Sequence, residues 1–149
     1  MLTSFNIRVY GILINDRKQV LVSDERIHNR NLEITKFPGG GLELGEGPKS
    51  CVVRECKEEL GIDVEVVEHL YTTDFFQQSA FNNEHQIISI YYIIKPLQPV
   101  NAITGNYFPV YPDIVGEMFR FVDWDFFNEN TMSLPIDKVV AKILKKTYS

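Results

Sequence analysis

Phe37-Pro38-Gly39-Gly40-Gly41-Leu42-Glu43-Leu44-Gly45-Glu46-Gly47-Pro48-Lys49-Ser50-Cys51-Val52-Val53-Arg54-Glu55-Cys56-Lys57-Glu58-Glu59-Leu60-Gly61-Ile62 is the stretch from which the rest of the chain is read. A proline followed by three consecutive glycines suits neither a helix nor a flat strand, so a tight turn is expected at 37–41. Gly47 is placed as an N-cap, and Pro48 occupies the first helical position, where its missing N–H costs nothing. Gly61 suits the left-handed residue that follows a helix. The punctuation predicts a helix over 48–60.

On a wheel of about 100° per residue, with Glu55 at zero, Glu59 lies near +40° and Glu58 near −60°. Val52, Val53, Cys56 and Leu60 fall at roughly 60° to 160°, so the acidic face borders the apolar stripe and does not oppose it. Like charges three or four residues apart repel by a few tenths of a kcal/mol when exposed. Arg54 is the one cation immediately beside them, which leaves negative charge over. A hard divalent cation with oxygen ligands, Mg²⁺ or Mn²⁺ before zinc, is the remainder, because no His or Cys joins the cluster. The plainer reading of such a face is solvated surface, and the plainer reading of the glycines is a turn. They lack the Lys and Ser/Thr of a phosphate-binding P-loop and do not fit the dinucleotide fingerprint.

Taken together, residues 40–62 resemble the Nudix box, G-x5-E-x7-R-E-U-x-E-E-x-G-U, where U is a bulky apolar residue. Gly40, Glu46, Arg54, Glu55, Glu58, Glu59 and Gly61 match its seven fixed positions, and Ile62 its last U. Cys56 at the first U departs from the usual aliphatic residue. The resemblance implies an α/β (α+β) fold, a Nudix-type α/β/α sandwich with a mixed β-sheet. It also implies hydrolysis of a nucleoside diphosphate linked to another moiety, with Mg²⁺ (or Mn²⁺) as cofactor. Carried over by position, the resemblance implies Glu58 and Glu59 as the principal metal ligands, Glu55 as a further ligand or water-mediated contact, and the Gly40 carbonyl as the main-chain ligand. Arg54 would hold the carboxylates, Glu46 would brace the loop and Gly61 would end the helix.

Outward from the box, 149 residues and 17.2 kDa leave room for a single domain over 1–149. Hydrophobic content is 44% and charged content 23%, which excludes a disordered tail, a collagen-like chain and a coiled coil. No apolar run is long enough for a membrane span. Met1–Asn15, interrupted by Arg8, is not expected to act as a secretory leader, so a cytoplasmic location is the default. Only Cys51 and Cys56 are present. Five residues turn a helix by about 500°, which separates the two side chains by roughly 140° and predicts two buried thiols without a bridge.

The net charge is −5. Between Glu43 and Glu68 there are eight acids against three bases, and twelve of each elsewhere, so the excess sits around the box. That sign argues against nucleic acid as a partner and is compatible with a small nucleotide reached through divalent cations. A homodimer is left open.

Phe5–Ile14 and Gln19–Ser23 read as a hairpin across Asn15–Lys18, and Asp24–Thr35 as irregular. Strands are expected at Ile62–Thr73, His85–Lys95 and Met118–Val122. A second helix is expected at Pro135–Lys146, where Ile136, Val139, Val140, Ile143 and Leu144 share helical spacing. Outside the box, Glu117 is the candidate extra ligand or base. Arg8, Arg26, Arg30 and Lys36 are candidates for phosphate contact, each more commonly a solvated charge. Phe76, with Tyr71, Phe75 and Phe81, is a candidate for stacking on a base. His28, His69 and His85 show no ligand spacing, and Trp124 reads as packing. The alternatives are a non-catalytic Nudix domain that senses a nucleotide or ADP-ribose, an RNA-end pyrophosphohydrolase and an interaction module.

Overall fold

The structure, a computed structural model, describes residues 1–27, 30–109 and 116–148; His28 lies outside them. In chain order the elements are β1 (Ser4–Ile12), β2 (Gln19–Ile27), β3 (Leu32–Lys36), β4 (Gly39–Gly41), α1 (Pro48–Leu60), β5 (Val64–Thr72), β6 (His85–Pro96), β7 (Ile103–Thr104), β8 (Gly116–Asp123) and α2 (Pro135–Thr147). A 3-10 turn at Glu129–Thr131 precedes α2. The chain divides into two compact units, one of Met1–Ile12 with Pro38–Val100, the other of Leu13–Phe37 with Asn101–Ser149.

The first unit holds a four-stranded sheet in the order β4-β1-β6-β5. β1 and β6 run parallel from Ser4↔His85 to Ile12↔Ile93, while β4 and β5 are antiparallel to their neighbours. The parallel pair requires a crossover, and α1 lies within it. Val9 and Ile12 are fully buried, as are Val52 and Cys56 of α1. The edge strand β5 is broken by register shifts at Val66/Glu68 and His69/Tyr71, irregularities that blunt a free edge. The second unit holds the order β3-β2-β8-β7, with β7 and β8 parallel. Ile136, Val140, Ala141 and Leu144 form the buried stripe of α2, and Phe37, Phe127 and Met132 are buried in the same unit. Trp124 stacks on Phe127 at 6.3 Å, the packing role expected of it.

The mixed-sheet α+β class is as expected, with two mixed sheets where one was anticipated. The hairpin is corrected. Ile14 bridges Val20, but β1 and β2 belong to different sheets, so only the residues beside the turn pair. The supposedly irregular Asp24–Thr35 is largely strand, since β2 runs on to Ile27 and pairs with β3. Its polar residues are tolerated because Asp24, fully buried, meets Arg120 at 2.8 Å and the Thr35 hydroxyl at 2.7 Å. The glycine triplet also forms a strand, β4. A Cβ on Gly39 would lie 2.1 Å from the Val9 carbonyl oxygen, at φ +149°, so the strand can start this close to β1 only with glycine at that position.

Candidate active site

The predicted helix is observed at its predicted bounds. Gly47 is the N-cap, Pro48 leads the first turn, and Gly61 closes the helix at φ 70°. Cys51, Val52 and Cys56 form its buried face. A Cβ on Gly11 of β1 would lie 3.2 Å from Val52 Cγ2, so α1 sits close over the strand. The two cysteines are fully buried and unbridged, and burial pushes both thiols up to about 12. Glu58 and Glu59 occupy the last turn of α1, where the helix dipole disfavours anions. The local rules for helix stability are broken where the sequence places its candidate chemistry.

Arg54 is the hub of that acidic face. Its Nε and Nη2 donate to the two oxygens of Glu46 at 3.0 and 2.8 Å. Nη1 donates to Glu55 at 3.1 Å and to Glu58 at 3.1 Å. Nη2 also donates to the Gly41 carbonyl at 3.1 Å. One planar fork thus fixes the loop, the β4 backbone and two carboxylates at once, which a lysine ammonium could not do. The Arg54 hydrogen bonds and the Glu43 backbone N–H hold the Glu46 carboxyl down at about 2. The same contact with Glu46 raises the guanidinium pKa, with Glu58 and Glu55 adding to it.

Glu55 is seated against Gly40, where a Cβ would lie 2.5 Å from the carboxyl carbon. Glycine at 40 is therefore what leaves room for this carboxylate. Glu55, Glu58, Glu59 and the Gly40 carbonyl offer oxygen donors alone, a set that fits a hard divalent cation. Among the described residues no three carboxylate, imidazole or thiol groups already converge on a point. Arg54 Nη1 stands between Glu55 and Glu58, and the Glu58 side chain is 58% exposed, leaving it room to turn toward an ion.

Of the other predicted residues, Arg8 lies on β1 in register with Gly41. Phe76 is 60% exposed between β5 and β6, and the Tyr71 hydroxyl donates to Asp74. His69 meets Thr72 and His85 meets Asn82, with no shared ligand geometry. In the second unit, Glu117 accepts from the Ser23 hydroxyl at 2.8 Å and lies 3.7 Å from the Lys36 ammonium. Ser23 pairs with Lys36 across the strands, so these groups share one face. Arg26, three residues on from Ser23, turns to the other face, where it pairs with Glu33 at 2.8 Å and lies 5.5 Å from the Phe108 ring. Arg30 is exposed.

Sequence reasoning missed Tyr10 and the buried Asp24–Arg120 pair. Tyr10 had a signal, because residues i and i+2 of a strand share a face and Arg8 precedes it by two. Asp24 and Arg120 are 96 positions apart, and nothing local connects them.

The chain is similar to several known proteins. An 8-oxo-dGTP diphosphatase of Escherichia coli (strain K12) is 36% identical over 52 residues, 35% of this chain and 40% of that protein. An 8-oxo-dGTP diphosphatase of Proteus vulgaris is 29% identical over 85 residues, 50% of this chain and 76% of that protein. An RNA pyrophosphohydrolase of Roseobacter denitrificans is 33% identical over 63 residues, 42% of this chain and 38% of that protein. The chain thus spans less than half the length of two of these relatives. Among solved structures, a MutT protein of Methanosarcina mazei Go1 shares the fold, with a TM-score of 0.70 at 19% identity over 100% of this chain and 99% of that one. The NUDIX domain model matches residues 5–141, a span that contains the box, both sheets and most of α2, and the chain therefore belongs to the NUDIX family.

Proposed function

We propose that this protein is a pyrophosphohydrolase that cleaves a pyrophosphate bond in a small nucleoside diphosphate derivative, by attack of water on phosphorus. The observation that carries the reading is the Arg54 fork, which lines up Glu46, Glu55 and Glu58 beside a glycine that seats Glu55. Glu58, Glu59 and Glu55, with the Gly40 carbonyl, would hold Mg²⁺ or Mn²⁺. When bound, such an ion polarises phosphoryl oxygens and lowers the pKa of a coordinated water. Arg54 and Glu46 orient the carboxylates, and Gly61 ends the helix that carries them. Glu117 is proposed as an additional ligand or base, and Lys36 and Phe76 as substrate contacts, whereas Arg26 faces away from Lys36 and is paired with Glu33. The reading takes 1–149 as one domain, which the family match across both units supports, and places it in the cytoplasm.

The test is a panel of dNTPs, oxidised dNTPs, ADP-ribose, nucleotide sugars, dinucleoside polyphosphates and 5′-triphosphorylated RNA, each with Mg²⁺ and with product identification. Glu58→Gln and Glu59→Gln are expected to lower turnover by roughly 100-fold or more. Wild-type rates in both variants, or ligand binding without turnover across the panel, would exclude the mechanism.

A further inference from the structure

Arg8 is held differently from the other arginines fixed by the fold. Arg26, Arg54 and Arg120 each meet a carboxylate at 2.8 Å. Half-buried Arg8 forms no such ion pair among the described residues. Its Nε donates to the Tyr10 hydroxyl at 3.0 Å, and its guanidinium carbon lies 5.8 Å from the centre of that ring. Tyr10 is itself locked, being 5% exposed and stacked at 5.3 Å on Tyr91, which is 1% exposed. The guanidinium plane therefore rests on an immobile support, with Nε committed and both Nη groups uncommitted to any acceptor among the described residues.

The position matters as much as the support. Gly41 is the cross-strand partner of Arg8, and a Cβ on it would lie 3.6 Å from Nη1. The preceding residue, Gly40, seats the Glu55 carboxylate on the opposite face of this edge strand. Arg8 and Glu55 thus flank consecutive residues of one three-residue strand. Burial works against the Arg8 charge, while Tyr10, Glu55 and Glu59 favour it, with a net upward direction. A guanidinium with two free Nη groups suits bidentate contact with phosphate oxygens.

We propose that Arg8 binds a non-bridging oxygen of the substrate's diphosphate and that Tyr10 is a positioning residue that fixes the guanidinium plane. This rests on the pyrophosphohydrolase reading above. The test titrates inorganic pyrophosphate and α,β-methylene-ADP, each with Mg²⁺, into the wild type, Arg8→Gln, Arg8→Lys and Tyr10→Phe by calorimetry. The Mn²⁺ affinity of each protein is measured separately by electron paramagnetic resonance. Arg8→Gln is expected to weaken binding of both probes by about 10- to 100-fold, Arg8→Lys by less, and Tyr10→Phe by a few-fold. KM for the cleaved substrate rises in parallel and kcat falls less, while Mn²⁺ affinity stays within about twofold of wild type. Wild-type probe affinity in Arg8→Gln overturns the proposal. So does a matching loss of Mn²⁺ affinity, which would make Arg8 a support of the acidic face only. Glu59→Gln separates the two readings: if it leaves Mn²⁺ affinity and turnover unchanged, the metal-dependent reading fails whatever Arg8 does. A wild type that binds neither probe nor Mn²⁺ overturns both.

Discussion

Gly40→Ala should nearly abolish activity while leaving the protein folded. The added Cβ would lie 2.5 Å from the Glu55 carboxyl carbon and 2.5–2.6 Å from its oxygens. Ordinary contact begins near 3.4 Å, so the carboxylate must retreat by about 1 Å. It is the far end of a flexible side chain, and an off-rotamer shift of this kind costs about 0.5–1.5 kcal/mol. Replacing a strand glycine whose backbone conformation alanine can adopt returns about 0.4–1 kcal/mol. The two nearly cancel, so stability should stay within about 1 kcal/mol of wild type. A misplacement of about 1 Å at a reacting centre, by contrast, costs on the order of 100-fold in rate. The neighbouring Gly39→Ala inverts the pattern, because its Cβ would strike the Val9 backbone at 2.1 Å with φ at +149°. Strain and overpacking together should then cost about 3 kcal/mol or more. Thermal melts, Mn²⁺ affinity and kcat/KM separate the two outcomes. Glu55→Ala combined with Gly40→Ala should lose no more than Glu55→Ala alone, since the clash and its victim are the same contact. A stable Gly40→Ala enzyme with near wild-type kcat/KM and Mn²⁺ affinity would refute the placement of Glu55.

Two further outcomes follow from the ion pairs. Glu46 is held at about 2, below its ordinary 4.5, so its stabilisation is present above pH 4.5 and is lost as pH falls from there toward 2. Glu46→Gln should flatten that part of the acid limb in denaturation curves taken across pH 2–5, and an unchanged limb would refute the assignment. Asp24→Asn should destabilise by about 3–5 kcal/mol, because it leaves the buried Arg120 charge uncompensated, whereas Asp24→Leu with Arg120→Met should recover most of the loss. Urea midpoints for the single and double variants check this, and equal losses in both would show that the pair is not the cause.

Much of the site was legible because it is local. Gly47-Pro48 and Gly61 mark helix ends through backbone chemistry that acts within one turn, and the observed Pro48–Leu60 helix follows them residue for residue. The wheel placed the carboxylates beside the apolar stripe, and Arg54 reaches its partners from the same helix and the loop before it. The misreadings arose where a residue's environment comes from far along the chain. Asp24–Thr35 looked like loop because its polar side chains have distant or cross-strand partners. Gly39–Gly41 looked like a turn because its need for missing side chains is set by Val9 and Glu55.

By itself, then, the sequence determined the helix, its acidic face, the glycine beside it and the resemblance to a family, because spacing along 3.6 residues per turn is a property of the chain alone. Only the tertiary structure decided which sheet each strand joins, that a glycine triplet becomes an edge strand, and that Arg8 rests on Tyr10 opposite Gly41. Those follow from register and from packing between segments distant in sequence, and such pairings become specific only when the burial of both partners is settled together.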